Sequence, residues 1–237
     1  MKDPEIDDLW RRAADGQPPV DPALVDRLVR RMGTAPEPVR PLAPQWMLTG
    51  GLVLVCVAMA AAGGLILGPH GVQKMDALEM AVIFPVLGAL IWAAAALSAA
   101  EVVPGSRRPM APWVLGVGGC LALAAVFGLL FHDYGTEQFV AQGIRCLVAG
   151  LVQAVPASAG TWWVLRRGFA VNSPAAGFVQ GVLAGLAGVT MLEIHCPNFE
   201  VAHVIVWHIA VLPVSGGLGM LAAWMSRERA WRRAASG

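Results

Sequence analysis

ALEMAVIFPVLGALIWAAAALSA, residues 77–99, is an almost unbroken apolar stretch in which Glu79 is the sole ionisable side chain. A helix of this length spans the roughly 30 Å hydrocarbon layer of a bilayer. The whole chain has the same character, since 57% of its 237 residues are hydrophobic and 14% are charged. A soluble domain carries about 25% charged residues. The sequence therefore predicts a membrane protein rather than a single soluble core.

Five further apolar runs of similar length lie on either side of this stretch. The six predicted transmembrane helices cover residues 46–67, 77–99, 111–131, 139–165, 175–194 and 202–224. Barrel strands would alternate in hydrophobicity over about ten residues, and these runs do not. We therefore predict an all-α fold, a polytopic bundle of six transmembrane helices within residues 44–226.

Lys and Arg residues fall almost entirely on one side of this predicted bundle. Of the 17 in the chain, 15 lie in the N-terminal tail, in the second and fourth loops or in the C-terminal segment 227–237. Lys74 is on the opposite side, and Arg145 lies within the fourth run. Because basic loops remain in the cytoplasm, we predict that both termini are cytoplasmic and that residues 227–237 form a short basic end.

The polar tail, residues 1–43, is predicted to contain two short amphipathic helices. The first covers about 4–14, and the second starts with Asp21 as its N-cap and Pro22 in its first turn. Their apolar faces include Leu9 and Trp10 in the first helix and Leu24, Val25, Leu28 and Val29 in the second. So small a tail cannot bury these faces itself. The helices are therefore expected to lie on the membrane surface or to bind a protein partner in a groove.

Two of the four cysteines are predicted to lie near the outer side of the bundle. Cys146 is about two turns inside the fourth helix, and Cys196 follows the fifth. These helices are consecutive and antiparallel, so their thiols could lie close together, and adjacent thiols form disulfides in an oxidising compartment. Thiolate and imidazole are also ligands of soft or borderline metals. The candidate metal ligands are Cys146, His195, Cys196 and His203, with interfacial polar residues facing water as the alternative.

Arg145 is the most costly side chain to place in this predicted bundle, because an arginine inside a transmembrane helix costs a few kcal/mol on insertion scales. Glu193 and Glu79 are predicted at a comparable depth. We predict an intramembrane ion pair between Arg145 and Glu193. A guanidinium next to Cys146 would also favour the thiolate form of that cysteine.

The sequence lacks the motifs of several enzyme classes. It has no P-loop, no dinucleotide-binding glycine motif, no zinc-protease motif and no serine-hydrolase elbow. The predicted topology accounts for the Arg residues, so direct binding of nucleic acid is not expected. We predict a protein that is not an enzyme and requires no cofactor, with the lipid bilayer as one partner and a transient heavy-metal ion as a candidate ligand.

Several short motifs resemble those of a known family. They are Pro38-Val39-Arg40-Pro41-Leu42, Ile144-Arg145-Cys146, Leu165-Arg166-Arg167-Gly168, Ser173-Pro174-Ala175-Ala176-Gly177, and His195-Cys196-Pro197 followed ten residues later by Trp207. In these motifs the chain resembles the NrsF-like family of bacterial anti-sigma factors, which are six-helix membrane proteins with a short cytoplasmic N-terminal segment. The chain departs from the family at Trp207-His208, where many members have Trp-Tyr.

The resemblance implies that the tail holds an extracytoplasmic-function (ECF) sigma factor at the bacterial inner membrane. It also implies that two periplasmic cysteines, which look like Cys146 and Cys196 here, sense a stress such as heavy metals or oxidation. Two other functions fit the residues. A small transporter or permease, suggested by Arg145 and by prolines inside the helices, would move a substrate and would not need its tail. A metal-binding membrane protein without regulatory output would have no tail partner.

Overall fold

The computed structural model describes residues 21–33, 42–103, 105–136, 139–166 and 173–235. These residues are almost entirely helical; they form no strand, although Asp133 and Glu200 make one isolated bridge pairing. The chain divides into two compact units, Met1–Pro41 and Leu42–Gly237. Each unit is described by itself.

The described part of the first unit is helix α1, Pro22–Gly33. The side chain of Asp21 accepts a hydrogen bond of 2.9 Å from the amide of Ala23, as the predicted N-cap requires. Val25 and Val29 are 43% and 59% exposed, so part of the apolar face of α1 is open to solvent. Three predicted features lie outside the described residues: the helix over 4–14 with Leu9 and Trp10, and the side chains of Leu24 and Leu28.

Six long apolar helices form the described part of the second unit, and they confirm the predicted all-α, six-helix fold. They are α2 (Gln45–Leu67), α3 (Ala77–Val102), α4 (Pro112–Leu130), α5 (Phe139–Leu165), α6 (Ser173–His195) and α7, which begins at Val201 and ends at Ala235. Each is long and apolar enough to cross a membrane. The predicted short C-terminal segment is not separate, because residues 227–235 continue α7. Good helix formers there, such as Arg and Ala, do not stop the helix.

Helix α6 is the central helix of the bundle. In its most apolar window 67% of the residues are buried, whereas the corresponding values for the other five helices lie between 17% and 39%. Small residues make this position feasible, since a Cβ atom on Gly181 would meet the backbone of Ser215 in α7, and one on Gly188 would meet the carbonyl of Gly150 in α5. Close backbone approach through small residues is how membrane helices pack. Because α6 is central, its C-terminal end lies in the interior of the bundle.

Helix α7 is not regular along its length. It is α-helical over Val201–His203, π-helical over Val204–His208 and α-helical again over Ile209–Ala235. Short π-helical segments inside α-helices are frequent at functional sites. The indole of Trp207, within this segment, packs against Gly143 of α5, where any Cβ atom would collide with the ring. The π segment is therefore seated directly on α5.

Candidate functional site

Four metal-ligating side chains meet where α5, α6 and α7 converge. They are Cys146 from α5, Cys196 from the loop after α6, and His203 and His208 from α7. One ligand atom from each residue lies within 4.8 Å of every other. We refer to these four residues as the thiol–imidazole cluster. His203 and His208 are fully buried, Cys196 is 4% exposed and Cys146 is half-buried.

The two sulfurs of the cluster are in direct contact. The Sγ atoms of Cys146 and Cys196 lie 3.5 Å apart, and both thiols are free. The amide of Cys196 donates to the carbonyl of Leu192 over 2.7 Å, which continues the hydrogen bonding of α6 by one residue. The Cys146 sulfur, and after it burial, raises the pKa of Cys196. This thiol is therefore protonated at neutral pH when no oxidant or metal is present.

The π segment explains how both histidines reach the cluster. Five residues of an α-helix turn through about 500°, which would put His203 and His208 about 140° apart around the axis. A π-helix joins residues five apart by hydrogen bonds and so returns them to the same side. Here the two ring centroids lie 5.3 Å apart, edge to face, and His203 Nε2 is 3.7 Å from Cys196 Sγ.

A buried carboxylate orients one of the two imidazoles. His208 Nδ1 lies 2.7 Å from Glu193 Oε1, and both side chains are fully buried. Four buried atoms in this region have no partner at hydrogen-bond distance among the described residues: His208 Nε2, His203 Nδ1, Glu193 Oε2 and Trp207 Nε1. An unpartnered buried polar atom costs about 1–3 kcal/mol. The cluster therefore leaves buried polar atoms that are available to a ligand.

The loop between α2 and α3 supports the end of α6 beneath the cluster. The amides of Gly71 and Val72 both donate to the carbonyl of Ile194, over 3.0 and 3.2 Å. Helix ends leave carbonyls that need such partners. His195 belongs to this support, since its Nδ1 lies 2.9 Å from the carbonyl oxygen of Gly68. Gly68 has a φ of +98°, a conformation that favours glycine.

Polar contacts fix the loop between α6 and α7, which carries Cys196. The amide of Glu200 donates to the Asn198 side chain over 2.9 Å, and the Asn198 amide group donates to Gln142 of α5 over the same distance. The amide of Val201 donates to the carbonyl of Asp133 over 2.7 Å. This loop is thus held on both sides, which fixes the position of the Cys196 thiol.

The structure brings together three of the four predicted metal ligands, and a different histidine stands in place of the fourth. Cys146, Cys196 and His203 meet as expected, whereas His195 binds the Gly68 carbonyl and lies outside the cluster. His208 takes its place. The sequence spacing of His203 and His208 gave no signal for this pairing, because the two side chains share a face only in a π-helix.

The predicted ion pair between Arg145 and Glu193 is not formed. Glu193 is buried and bonded to His208, whereas Arg145 is exposed on the surface of α5, where it lines a cleft with Ile66 and Gln153. Arg145 is adjacent to Cys146 in sequence, but successive residues of a helix point in directions about 100° apart. The arginine therefore faces away from the interior while the cysteine faces the cluster.

Two of the four cysteines lie away from the cluster. Cys56 is buried in α2, with its sulfur 3.8 Å from the carbonyl of Leu183, and Cys120 is half-buried in α4. Both pack against apolar side chains. They serve as internal comparisons for the two thiols of the cluster.

Comparison with protein families identifies a match over most of the chain. The family described as negative regulator of sigma F (NrsF) matches residues 33–226, which includes all six long helices up to residue 226 of α7 and every residue of the cluster. No curated protein and no solved structure matches the chain.

Proposed function

We propose, because the chain belongs to the NrsF family of negative regulators of sigma F, that it is a multi-pass membrane anti-sigma factor that holds an ECF-type sigma factor by its N-terminal tail. Negative regulation of a sigma factor implies that the chain binds one, and six apolar helices imply that it does so at a membrane. A regulatory role of this kind needs no catalytic machinery. The membrane is the bacterial inner membrane in this proposal, with both termini in the cytoplasm.

The observation that supports the tail as the binding segment is the exposed apolar face of α1. Val25 and Val29 are open to solvent, while Asp26 and Arg30 form an ion pair of 3.3 Å elsewhere on the same helix. A short amphipathic helix with an uncovered apolar face is suited to a groove on a partner protein. Binding there would hold the sigma factor at the membrane and away from RNA polymerase.

The cluster is the signal-sensing site in this proposal. The contact of 3.5 Å between the sulfurs of Cys146 and Cys196 favours either of two events. An oxidant can accept two electrons as the two thiols lose two protons and form a disulfide, or a thiophilic metal can bind both sulfurs. Both events would change how α5 and α7 pack around the end of α6.

Close packing offers a route for such a change to the other end of the bundle. Gly177 and Gly181 of α6 lie against the backbone of Gly219 and Ser215 of α7, with no space for a Cβ atom. Closely packed interiors have low compressibility and transmit strain, so helices in such contact are expected to move as units. A shift of α7 at the cluster would then alter the affinity of the tail, and a coupling of about 1–3 kcal/mol is sufficient for a regulatory switch.

The first test is capture of sigma factors by the full-length protein in detergent. We expect one sigma factor of the host to copurify, and we expect Val25→Asp with Val29→Asp to abolish the capture. The matched control is Asp26→Asn with Arg30→Gln, which leaves the two exposed valines unchanged. Failure of the full-length protein to capture any sigma factor would contradict the proposal and would favour a transporter, which a flux assay in proteoliposomes would detect.

The second test concerns sensing. A reporter driven by the captured sigma factor should lose its response to cadmium and to a thiol oxidant in Cys146→Ser and Cys196→Ser strains. Cys120→Ser is the control, because this cysteine lies outside the cluster, and its strain should respond like the parent. A normal response in both cluster variants would show that the thiols are not the sensor.

A further inference from the structure

We infer that Cys146, Cys196, His203 and His208 form one closed four-ligand site for a divalent d¹⁰ cation such as Zn²⁺ or Cd²⁺, and that Glu193 is a positioning residue for His208. The proposed function leaves the signal open between metals and oxidants. The present inference assigns a ligand class and a complete ligand set to the same site. Its regulatory consequence rests on the proposed function, but the binding itself does not.

Distances within the cluster fit a tetrahedral site. With Zn–S bonds of about 2.3 Å and Zn–N bonds of about 2.0–2.1 Å, the ligand atoms of a tetrahedral site lie roughly 3.3–3.8 Å apart. The two sulfurs are 3.5 Å apart, and the distance from Cys196 Sγ to His203 Nε2 is 3.7 Å. All four ligand atoms lie within 4.8 Å of one another. Small side-chain rotations would therefore bring the most distant atoms to bonding positions.

The unpartnered nitrogens indicate that a ligand belongs at this position. His208 uses Nδ1 to bond Glu193, which leaves its Nε2 buried and without a partner at hydrogen-bond distance among the described residues, although the ring also interacts with the Cys196 thiol. A histidine that binds a metal through one nitrogen almost always donates the other N–H to a carboxylate, a backbone carbonyl or water. Glu193 and His208 already have this arrangement. It would fix the tautomer in which Nε2 offers its lone pair to a metal.

Charge and ligand type select the class of cation. Two thiolates neutralise a divalent ion, so a buried site of this composition carries little net charge from the metal and its sulfurs. Sulfur and imidazole nitrogen favour Zn²⁺ and Cd²⁺ over the hard ions Mg²⁺ and Ca²⁺, which require oxygen ligands. Four protein ligands leave no open position, and closed sites of this kind are structural rather than catalytic.

Metal binding would connect three parts of the bundle. The ligands come from α5, from the loop after α6 and from α7, so a bound ion would hold these elements at fixed separations. Sulfurs that coordinate a metal as thiolates are not free to form a disulfide with each other. Under the proposed function, metal and oxidant would therefore place the same two sulfurs in mutually exclusive states.

The test uses purified full-length protein in detergent, reduced and freed of metal by a chelator. Titration with Co²⁺ should give the visible absorption of a tetrahedral complex with sulfur ligands, at one ion per chain, and Zn²⁺ or Cd²⁺ should displace it. Cys146→Ser and His208→Ala should weaken binding at least 100-fold. Glu193→Gln keeps all four ligands and should weaken binding about 10–100-fold, as loss of an outer partner of a ligating histidine does.

His132→Ala is the matched control, because this histidine is exposed and lies outside the cluster. Its affinity for Co²⁺ should match that of the parent. Equal losses in His132→Ala and His208→Ala, or unchanged stoichiometry in a chain lacking both Cys146 and Cys196, would overturn the inference. Thermal unfolding without metal identifies any variant that fails to fold.

A second measurement needs no variant. In the unaltered protein, Cd²⁺ should slow alkylation of Cys146 and Cys196 at least tenfold and leave Cys120 unchanged, as peptide mass spectrometry can determine. Equal alkylation rates with and without Cd²⁺ would also overturn the inference. Both measurements are made without a sigma factor, so a protein that binds metal but captures no sigma factor would refute the proposed function and leave the metal site standing.

Discussion

Replacing Glu193 and His208 separately and together measures how strongly this buried pair is coupled. The variants are Glu193→Leu, His208→Leu and the double substitution, all studied in the presence of a chelator. Each single change leaves the other side chain buried with an unsatisfied polar atom, since both residues are fully buried. The double change removes both polar groups and leaves neither without its partner. We therefore expect the double variant to lose less stability than the two single losses added together.

The structure and two kinds of earlier measurement set the expected coupling free energy between Glu193 and His208. In soluble proteins, removal of one partner of a buried ion pair costs about 3–5 kcal/mol. Hydrogen bonds between membrane helices are weaker, and double-mutant cycles in a membrane protein average about 0.6 kcal/mol with a maximum of about 1.7. The 2.7 Å contact and complete burial put this pair at the upper end of that range. We expect a coupling of about 1.5 kcal/mol, or roughly tenfold in the unfolding equilibrium constant.

Reversible unfolding in mixed detergent, followed by far-ultraviolet circular dichroism, gives the four free energies that the cycle requires. His132→Leu is the control, because His132 is exposed, and an exposed substitution should change the free energy of unfolding by less than about 0.5 kcal/mol. Additive single losses, with a coupling near zero, would refute the argument that these two side chains stabilise the bundle as a pair.

Two further substitutions test packing and charge elsewhere in the bundle. Gly188→Ala would press a Cβ atom against a backbone carbonyl of α5 and should cost about 1–3 kcal/mol in the same unfolding assay, whereas Gly118→Ala, which meets no atom within 4 Å, should be neutral. Arg108→Ala removes a guanidinium that lies 2.7 Å from Glu101. Because that carboxylate is buried, we expect a loss of about 1–3 kcal/mol, and the neighbouring exposed Arg107→Ala should show none.

The six helices could be predicted from the sequence because a bilayer imposes a simple rule on length and composition. Any run near 20 apolar residues satisfies it, and helices α2 to α7 do so with few interruptions. Helix α1 could be predicted for a local reason, since Asp21 and Pro22 form a start signal that requires no other part of the chain. The apolar runs and the helix start signal are both properties of short segments of the chain.

The buried partners could not be predicted, because they depend on how helices face one another. Hydropathy shows that Arg145 and Glu193 are costly in a membrane but contains no information on the direction in which each side chain points. The packing of α6 at the centre of the bundle turns Glu193 inward, towards His208, while α5 presents Arg145 at its surface. The π segment that aligns His203 with His208 packs on α5, and it likewise leaves no mark in the sequence spacing.

The support beneath the cluster can be tested at Gly71, which is far from the cysteines in sequence. A Cβ atom there would meet the carbonyl oxygens of Glu193, Ile194 and Cys196, so Gly71→Ala should push the α2–α3 loop off the end of α6. The two hydrogen bonds to Ile194 would then be lost. Each is worth about 1 kcal/mol.

A loss of about one to two kcal/mol raises the population of molecules in which the α2–α3 loop has left the end of α6 by about 5–30-fold. Cys196 is 4% exposed when the loop is in place, so its alkylation by a water-soluble maleimide depends on displacement of the loop. The alkylation rate in Gly71→Ala should therefore rise by the same factor. Gly88→Ala, where a Cβ atom meets nothing within 4 Å, should leave the rate unchanged. Cys56 should remain unreactive in both variants, since it is buried in the bundle and away from this loop. A Gly71→Ala protein with the parental rate at Cys196 would show that the loop does not control access to the cluster, and that the buried position of the thiol is set by α5, α6 and α7 alone.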